Sequence, residues 1–106
     1  MLIPKKLKIG GHIYDVIYPY HYTERGDQFG DHDPTQKWIR MDDRDSYSHE
    51  IRTESGVAVT FLHEILHACD SITGNKVFTD EKVCEGISEA LFQILRDNKL
   101  VFTKED

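Results

Sequence analysis

The chain has 106 residues, a formal net charge of −6 at pH 7 and a sequence pI near 5.4. This length suits a single domain over residues 1–106 with one modest core, and the acidic balance argues against a nucleic-acid partner, because affinity for phosphates rests on Lys and Arg. No stretch approaches the roughly 18 apolar residues of a membrane span, and the first six residues lack the charge order of a signal peptide. We therefore expect a cytoplasmic protein with no membrane partner, in which Cys69 and Cys84 are reduced.

Two short β-prone runs flank a pair of glycines near the start of the chain. Leu7–Ile9 precedes Gly10 and Gly11, and His12–Tyr18 follows them. Two glycines between such runs are typical of a tight hairpin, because the turn needs backbone conformations that glycine adopts without strain. The sequence therefore predicts an antiparallel pair of strands here.

A polar segment and a third strand follow the hairpin. Residues 20–36 are rich in Gly, Pro and polar side chains, which predicts a loop, and we interpret residues 30–34 (Gly-Asp-His-Asp-Pro) within it as a solvated turn rather than a metal site. Lys37–Met41 alternates and contains aromatic and β-branched residues, so it predicts a strand.

The first helix is predicted from Thr53 or Ser55, as N-cap, to about Thr73. Gly74 supplies the expected C-terminal stop. At about 100° per residue the apolar side chains form one core-facing stripe. Its members are Val57, Phe61, Ile65, Ala68 and Ile72.

A second helix, capped by Thr79 or Asp80, ends near Asn98. Its predicted packing face against the first helix consists of Val83, Ile87, Leu91, Ile94 and Leu95. A short loop between two such helices favours an antiparallel pair. The whole chain predicts an α+β fold, in which a small antiparallel sheet of about three strands packs on two antiparallel helices.

The most informative motif, His63-Glu64-Ile65-Leu66-His67, lies on the first helix opposite the core stripe. Residues four apart stand on one face of a helix, so His63 and His67 can offer two imidazole nitrogens to one zinc ion. Glu64 can then reach a metal-bound water as general base. The spacing predicts zinc-assisted hydrolysis.

A catalytic zinc keeps three protein ligands, so a third residue is needed beyond the two histidines. The metzincin pattern would require Gly at position 70 and His at position 73, where this chain has Asp70 and Thr73. No His follows His67. The donor is therefore expected among the second-helix carboxylates Glu81, Glu85 and Glu89, of which Glu89 points furthest from the packed face.

This arrangement resembles the gluzincin metallopeptidases, in which a His-Glu-x-x-His helix precedes a second helix that donates a Glu, often with an acidic residue four positions later. Glu85-Gly86-Ile87-Ser88-Glu89 matches the second part. The chain is most similar to minimal, zincin-like gluzincins and to small phage-type peptidases related to the ImmA/IrrE proteins. The resemblance implies a zinc metalloendopeptidase of peptide or protein substrates, with zinc on His63, His67 and Glu85 and with Glu81 in reserve.

The resemblance also implies a substrate peptide held along the edge of the Lys37–Met41 strand. Asp70 and Glu89 are candidates for supporting the ligands by hydrogen bonds. Tyr47 and His49 are weaker candidates for stabilising the oxyanion, since each is more typical of a surface loop. The tail that begins at Leu100-Val101-Phe102 is a candidate for occupying the cleft and keeping the enzyme latent.

A different class of function stays open. Metal binding contributes folding energy to a chain this short, so zinc alone is compatible with a non-catalytic, zinc-stabilised module that binds a partner. The presence of Glu64 favours catalysis, because a purely structural site needs no general base beside its ligands.

Overall fold

A computed structural model describes residues 3–22, 29–45 and 47–100. The predicted α+β class is confirmed: one sheet packs against two helices. The elements in chain order are β1 (Lys6–Ile9), β2 (His12–Ile17), β3 (Gly30–Asp33), β4 (Trp38–Met41), α1 (Glu54–Thr73) and α2 (Glu81–Asn98). Of the predicted C-terminal tail, residues 101–106 lie outside the described residues.

The sheet has four strands in the order β1-β2-β4-β3, and it is mixed. The hairpin prediction is confirmed, because β1 and β2 pair antiparallel across the two glycines. The prediction of about three antiparallel strands is wrong in two respects. β4 pairs parallel with β2, and β3, which was interpreted as part of a loop, pairs antiparallel with β4.

The turn between β3 and β4 explains the fourth strand. The Asp33 carboxylate accepts the backbone N–H groups of Thr35 and Gln36 at 2.8 and 2.9 Å, and Lys37 takes a left-handed φ of 61°. This side-chain capped turn reverses the chain so that β3 returns along β4. The strand character of β3 therefore comes from its pairing, since its own residues have low β-propensity.

The core lies between the helix-facing side of the sheet and α1. Tyr14 and Val16 of β2 and Ile39 and Met41 of β4 are buried there, in strict alternation along each strand. The α1 stripe predicted from periodicity meets them, with Ala68 fully buried in the same cluster and Phe61, Ile65 and Ile72 packed against it. Because this stripe faces the sheet, the opposite side of α1 is left for other chemistry.

Both ends of α1 agree with the sequence. The Thr53 hydroxyl accepts the Gly56 N–H as N-cap, and Gly74 closes the helix with a φ of 75°. Asp80 caps α2 by accepting the N–H groups of Lys82 and Val83. These side-chain caps fix where both helices begin relative to the sheet.

The packing face predicted for α2 is wrong for three of its five residues, whereas Leu91 and Leu95 are half-buried. The fully buried residues of α2 are the small Cys84 and Ser88, and the Cys84 thiol donates to the main-chain oxygen of His63 on α1. Val83, Ile87 and Ile94 of the predicted face are instead 43–45% exposed. Small side chains let the two helices approach closely, which large ones at the same positions would prevent.

Within the described residues, no helix combines the length and apolar character that crossing a bilayer requires.

Candidate metal centre

Helix α1 brings the two motif histidines together on the side that borders β3 and α2. His63 is buried, and its Nε2 lies 3.0 Å from Nε2 of His67. Their rings meet at 70° with centroids 4.7 Å apart. One helical turn thus converges two ring nitrogens on one point, as the sequence predicted.

Two carboxylates of α2 reach this pair from the other side. The Glu81 carboxylate lies against both converging nitrogens, with Oε2 3.0 Å from Nε2 of His63 and Oε1 2.9 Å from Nε2 of His67. Glu85 contacts the far nitrogen of the first ring, with Oε2 2.9 Å from Nδ1 of His63. Both side chains are more than half exposed, so this side of the centre is open to solvent.

These donors fit a zinc ion in kind and spacing. Zinc binds imidazole nitrogens and carboxylate oxygens at about 2.0–2.2 Å, so the donors of a tetrahedral ion lie roughly 3.3 Å from one another. The two Nε2 atoms and the Glu81 oxygens are 2.9–3.0 Å apart. A slight opening of the cluster would admit the metal.

The two carboxylates occupy different places around His63. As the side chains stand, Glu81 has the position of a ligand, because it faces the nitrogens that converge. Glu85 has the position of a hydrogen-bond acceptor from Nδ1–H, which orients a ligating ring. The assignment of Glu85 as third ligand, implied by the resemblance, stays a prediction.

Cys84 is a further potential donor, since its Sγ lies within 4.8 Å of ring nitrogens of both histidines. Its thiol, however, donates to the main-chain oxygen of His63 at 3.5 Å. Burial raises the pKa of Cys84 to about 11. Because zinc binds the thiolate and not the thiol, the α2 carboxylates are the better candidates.

Glu64 lies beside the histidine pair and is also buried, at 6% exposure. Its Oε1 is 3.4 Å from Nδ1 of His32, and the His32 ring stacks on the His67 ring with a centroid distance of 5.7 Å and an interplanar angle of 5°. The interpretation of residues 30–34 as a solvated turn is therefore wrong for His32. The strand β3 carries this side chain into the site.

A signal for His32 was present in the sequence. Asp33-Pro34-Thr35-Gln36 has the composition of a tight turn, and it immediately precedes the strand predicted at Lys37–Met41. A turn directly before a strand indicates a hairpin partner on its other side, over about Gly30–Asp33. Alternation along that partner would have placed His32 on one face of the sheet.

The histidines and carboxylates line an open cleft of about 510 Å³ between β3 and the first turns of α2. The edge strand that borders this cleft is β3. β4, the strand predicted to hold a peptide, is paired on both sides, with β2 and with β3. The prediction that Lys37–Met41 offers a free edge is therefore wrong, and β3 takes that place.

A glycine sets how closely β3 approaches the site. A Cβ at Gly30 would lie 2.7 Å from Cγ2 of Thr60 and 3.3 Å from Cγ of Glu64. The Thr60 side chain is fixed, because its hydroxyl bonds to Arg52 Nη2 at 2.6 Å and to the Gly56 carbonyl at 3.1 Å. Only glycine lets the strand lie directly against Glu64.

The remaining candidates lie elsewhere. The Asp70 carboxylate accepts the backbone N–H groups of Val77 and Phe78, so it anchors the connection between the helices rather than a histidine. Glu89 is exposed one turn beyond Glu85. Tyr47 and His49 are exposed and are not among the described residues that line the cleft.

A second acidic cluster, His21 with Asp42 and Asp43, has donors within 4.8 Å of one another. The Asp42 carboxylate already accepts the backbone N–H groups of Tyr22 and Arg44, and Asp43 accepts His21 Nε2 at 3.0 Å. These bonds fold the loop after β4, which accounts for the cluster.

Comparison of the chain with family models, with curated proteins and with solved structures found no match. The likeness to gluzincins stays a prediction from the motif and its spacing.

Proposed function

We propose that this protein is a zinc-dependent metallopeptidase of the minimal gluzincin kind. The supporting observation is the convergence of His63 Nε2, His67 Nε2 and an α2 carboxylate within 2.9–3.0 Å of one another, with the buried Glu64 on the same cleft. Two nitrogens and one carboxylate leave a fourth position open, as in catalytic zinc sites.

Zinc bound here would supply Lewis acidity for a substrate carbonyl and for a water molecule. Glu64 accepts a proton from the attacking water and passes it to the leaving amine of the peptide. Its burial keeps the carboxylate in one place beside the histidines. His32, at 3.4 Å from Oε1, orients the carboxylate from the substrate side of the cleft.

The third ligand comes from α2, and two assignments compete. The resemblance implies Glu85, whereas the observed contacts favour Glu81 as ligand with Glu85 holding Nδ1 of His63. In either case the two carboxylates act together on one ring. Both side chains therefore belong to the proposed centre.

The proposed substrate is an extended peptide beside β3. This strand pairs with β4 on one side only among the described residues, and its outer backbone groups border the cleft. A peptide added at that edge would be held by main-chain hydrogen bonds, with its carbonyl groups passing the histidine pair. A cytoplasmic location accords with the free thiols of Cys69 and Cys84.

The alternative is a non-catalytic, zinc-stabilised module that binds a partner. It would use the same ligands, and zinc would contribute to its folding. Glu64 separates the two, since a stabilising site needs neither a buried carboxylate beside the ligands nor an open cleft. A variant of the peptidase proposal is that residues 99–106 occupy the cleft and keep the enzyme latent. Deleting those residues tests this, because the cleavage rate should then rise.

Zinc titration of the full chain tests the metal half of the proposal. We expect one tightly bound ion per chain, and a loss of that ion in His67→Ala. Conversely, a wild-type protein that binds no zinc would contradict both the peptidase and the zinc-stabilised module.

A further inference from the structure

Helix α2 carries an apolar face that the described part of the chain leaves uncovered. Val83, Ile87 and Ile94 are 43–45% exposed, and the small Ala90 is exposed between them. We call these four residues the outer stripe. At about 100° per residue they fall within one narrow sector of the helix, roughly a quarter turn or more away from the buried Cys84 and Ser88.

The metal centre itself explains why this face points outward. Glu81 and Glu85 contact the α1 histidines, so that side of α2 must face α1. A helix that presents these carboxylates to α1 cannot also bury Ile87 there, because the two sides are almost opposite at helical spacing. The outer stripe is thus left for a different partner.

The spacing of the outer stripe is symmetric. Its members are separated by four, three and four residues, which reads identically in both directions. Two such helices laid antiparallel about a two-fold axis between Ile87 and Ala90 therefore place Val83 of one copy against Ile94 of the other. This self-complementarity is what a two-fold interface between identical chains requires.

Two opposite charges beside the outer stripe are complementary in the same antiparallel arrangement. Lys82 and Asp97 lie near opposite ends of α2 on one flank of the stripe, and in an antiparallel pair equivalent flanks face each other. Each Lys82 then lies near the Asp97 of the second copy. Among the described residues the Lys82 side chain makes no ion pair of its own, while Asp97 bonds to Arg96 and Gln93.

Gly86 adds an independent observation. It lies inside α2, where glycine costs about 0.5–1 kcal/mol of helix stability relative to Ala, and a Cβ there would meet nothing within 4 Å. Packing within residues 3–22, 29–45 and 47–100 therefore gives no reason for this glycine. Its position on the same flank as Lys82 and Asp97 allows the backbone of a second helix to approach closely.

We propose that a second copy of this chain covers the outer stripe, with the two α2 helices packed antiparallel. Glu81 and Glu85 lie on the far side of α2 from this interface, so both clefts stay open in the dimer. α2 has 18 residues and is about 27 Å long. A contact along one face of a single helix of this length buries an area at the lower end of specific protein–protein interfaces. The dimer is accordingly concentration-dependent.

Sedimentation of the full chain from about 1 μM to about 1 mM, which spans moderate to weak affinities, tests this proposal. The wild type is expected to shift from monomer to dimer, and Ile87→Glu is expected to raise the dimer Kd about tenfold or more. Ile13→Glu is the matched control, since Ile13 is 56% exposed but lies on β2. Circular dichroism verifies that each variant is folded.

Charge reversal at the flank keeps the test independent of the apolar change. Lys82→Asp and Asp97→Lys are each expected to weaken the dimer severalfold, and the double variant is expected to recover it. Two results with the full chain overturn the proposal: a monomer at every concentration, or a dimer that is weakened by Ile13→Glu but not by Ile87→Glu. A chain that dimerises only after deletion of residues 101–106 also overturns it, because its own tail would then be the occupant of the outer stripe. None of these results depends on zinc or on peptidase activity.

Discussion

His32 Nδ1 lies 3.4 Å from Glu64 Oε1, and this contact joins the edge strand β3 to the proposed general base on α1. The same ring stacks in parallel on His67, so one side chain touches both a proposed ligand and the proposed base. β3 therefore does more than border the cleft. In the proposed mechanism, its His32 would orient the Glu64 carboxylate from the side where a substrate would enter.

His32→Ala tests this role. Because His32 contacts Glu64 but is not one of the converging donors, we expect zinc binding to be kept. We expect kcat to fall by about tenfold, less than the roughly 100-fold or more that a general base contributes, because His32 only orients that base. His32→Gln, which retains a polar donor, should recover part of kcat. Zinc loss comparable to that of His67→Ala would instead make His32 a ligand, and an unchanged kcat would remove it from the mechanism.

Parallel Glu→Gln changes on α2 identify the third ligand. Glu81→Gln, Glu85→Gln and Glu89→Gln remove the same charge at successive turns of one helix. We expect zinc affinity to fall at one or both of the first two, by about 10-fold to 100-fold for a residue that only orients a ligand and by more for the ligand itself. A larger loss of zinc affinity in Glu81→Gln would support Glu81 as the third ligand, as the observed contacts suggest. A larger loss in Glu85→Gln would support Glu85, as the resemblance implies.

Glu89→Gln is the control in that series, because Glu89 is exposed one turn beyond the centre. It should bind zinc as the wild type does. Full zinc retention in both Glu81→Gln and Glu85→Gln would contradict the proposal that α2 supplies the third ligand.

Gly30→Ala probes how closely β3 must pack. The added Cβ would clash with Thr60 Cγ2, which two hydrogen bonds hold in place, and would press on Glu64. We expect a loss of about 1–3 kcal/mol in the free energy of unfolding, as for other overpacked sites, and a lower cleavage rate. Urea denaturation measures the change in the free energy of unfolding. Gly86→Ala, where an added Cβ meets no described residue within 4 Å, should not lower the free energy of unfolding in dilute solution.

Alkaline stability depends on Tyr22, whose hydroxyl donates to Asp31 Oδ1 at 2.5 Å. Burial, and then this hydrogen bond, raise the pKa of Tyr22 above its ordinary value of 10.0. A raised pKa in the folded state means that its contribution is intact below about pH 10 and is lost as pH rises further. Tyr22→Phe should therefore reduce the fall in unfolding free energy above pH 10. An equal fall in the wild type and in Tyr22→Phe would contradict this assignment.

The sequence predicted α1 almost to the residue, because several local signals agree there. Thr53 and Gly74 mark the two ends, and the apolar period between them is regular. The histidine pair follows from the same regularity, since its position opposite the core stripe fixes which way it faces. When such local signals agree, a helix can be predicted from the sequence without knowledge of its tertiary contacts.

The parts that were wrong depend on contacts between elements. β3 is a strand because β4 lies beside it, and the residues Gly-Asp-His-Asp have low β-propensity of their own, so only the turn that follows them indicates the pairing. α2 was assigned the face with the largest apolar residues, whereas the carboxylates Glu81 and Glu85 and the small Cys84 decide its rotation. Periodicity finds the apolar side of a helix, but it does not say whether α1 or another chain covers it.

The most direct test of the central proposal compares the wild type with Glu64→Gln, using zinc content and cleavage of a peptide library on the same samples. Glu64 is buried beside the histidine pair but is not one of its converging donors, so the change should leave one zinc per chain and remove the proton acceptor. The proposal predicts equal zinc content and a loss of cleavage of at least about 100-fold. Equal zinc content with an unchanged cleavage rate would contradict the peptidase mechanism, and zinc binding without cleavage in either protein would favour the zinc-stabilised module.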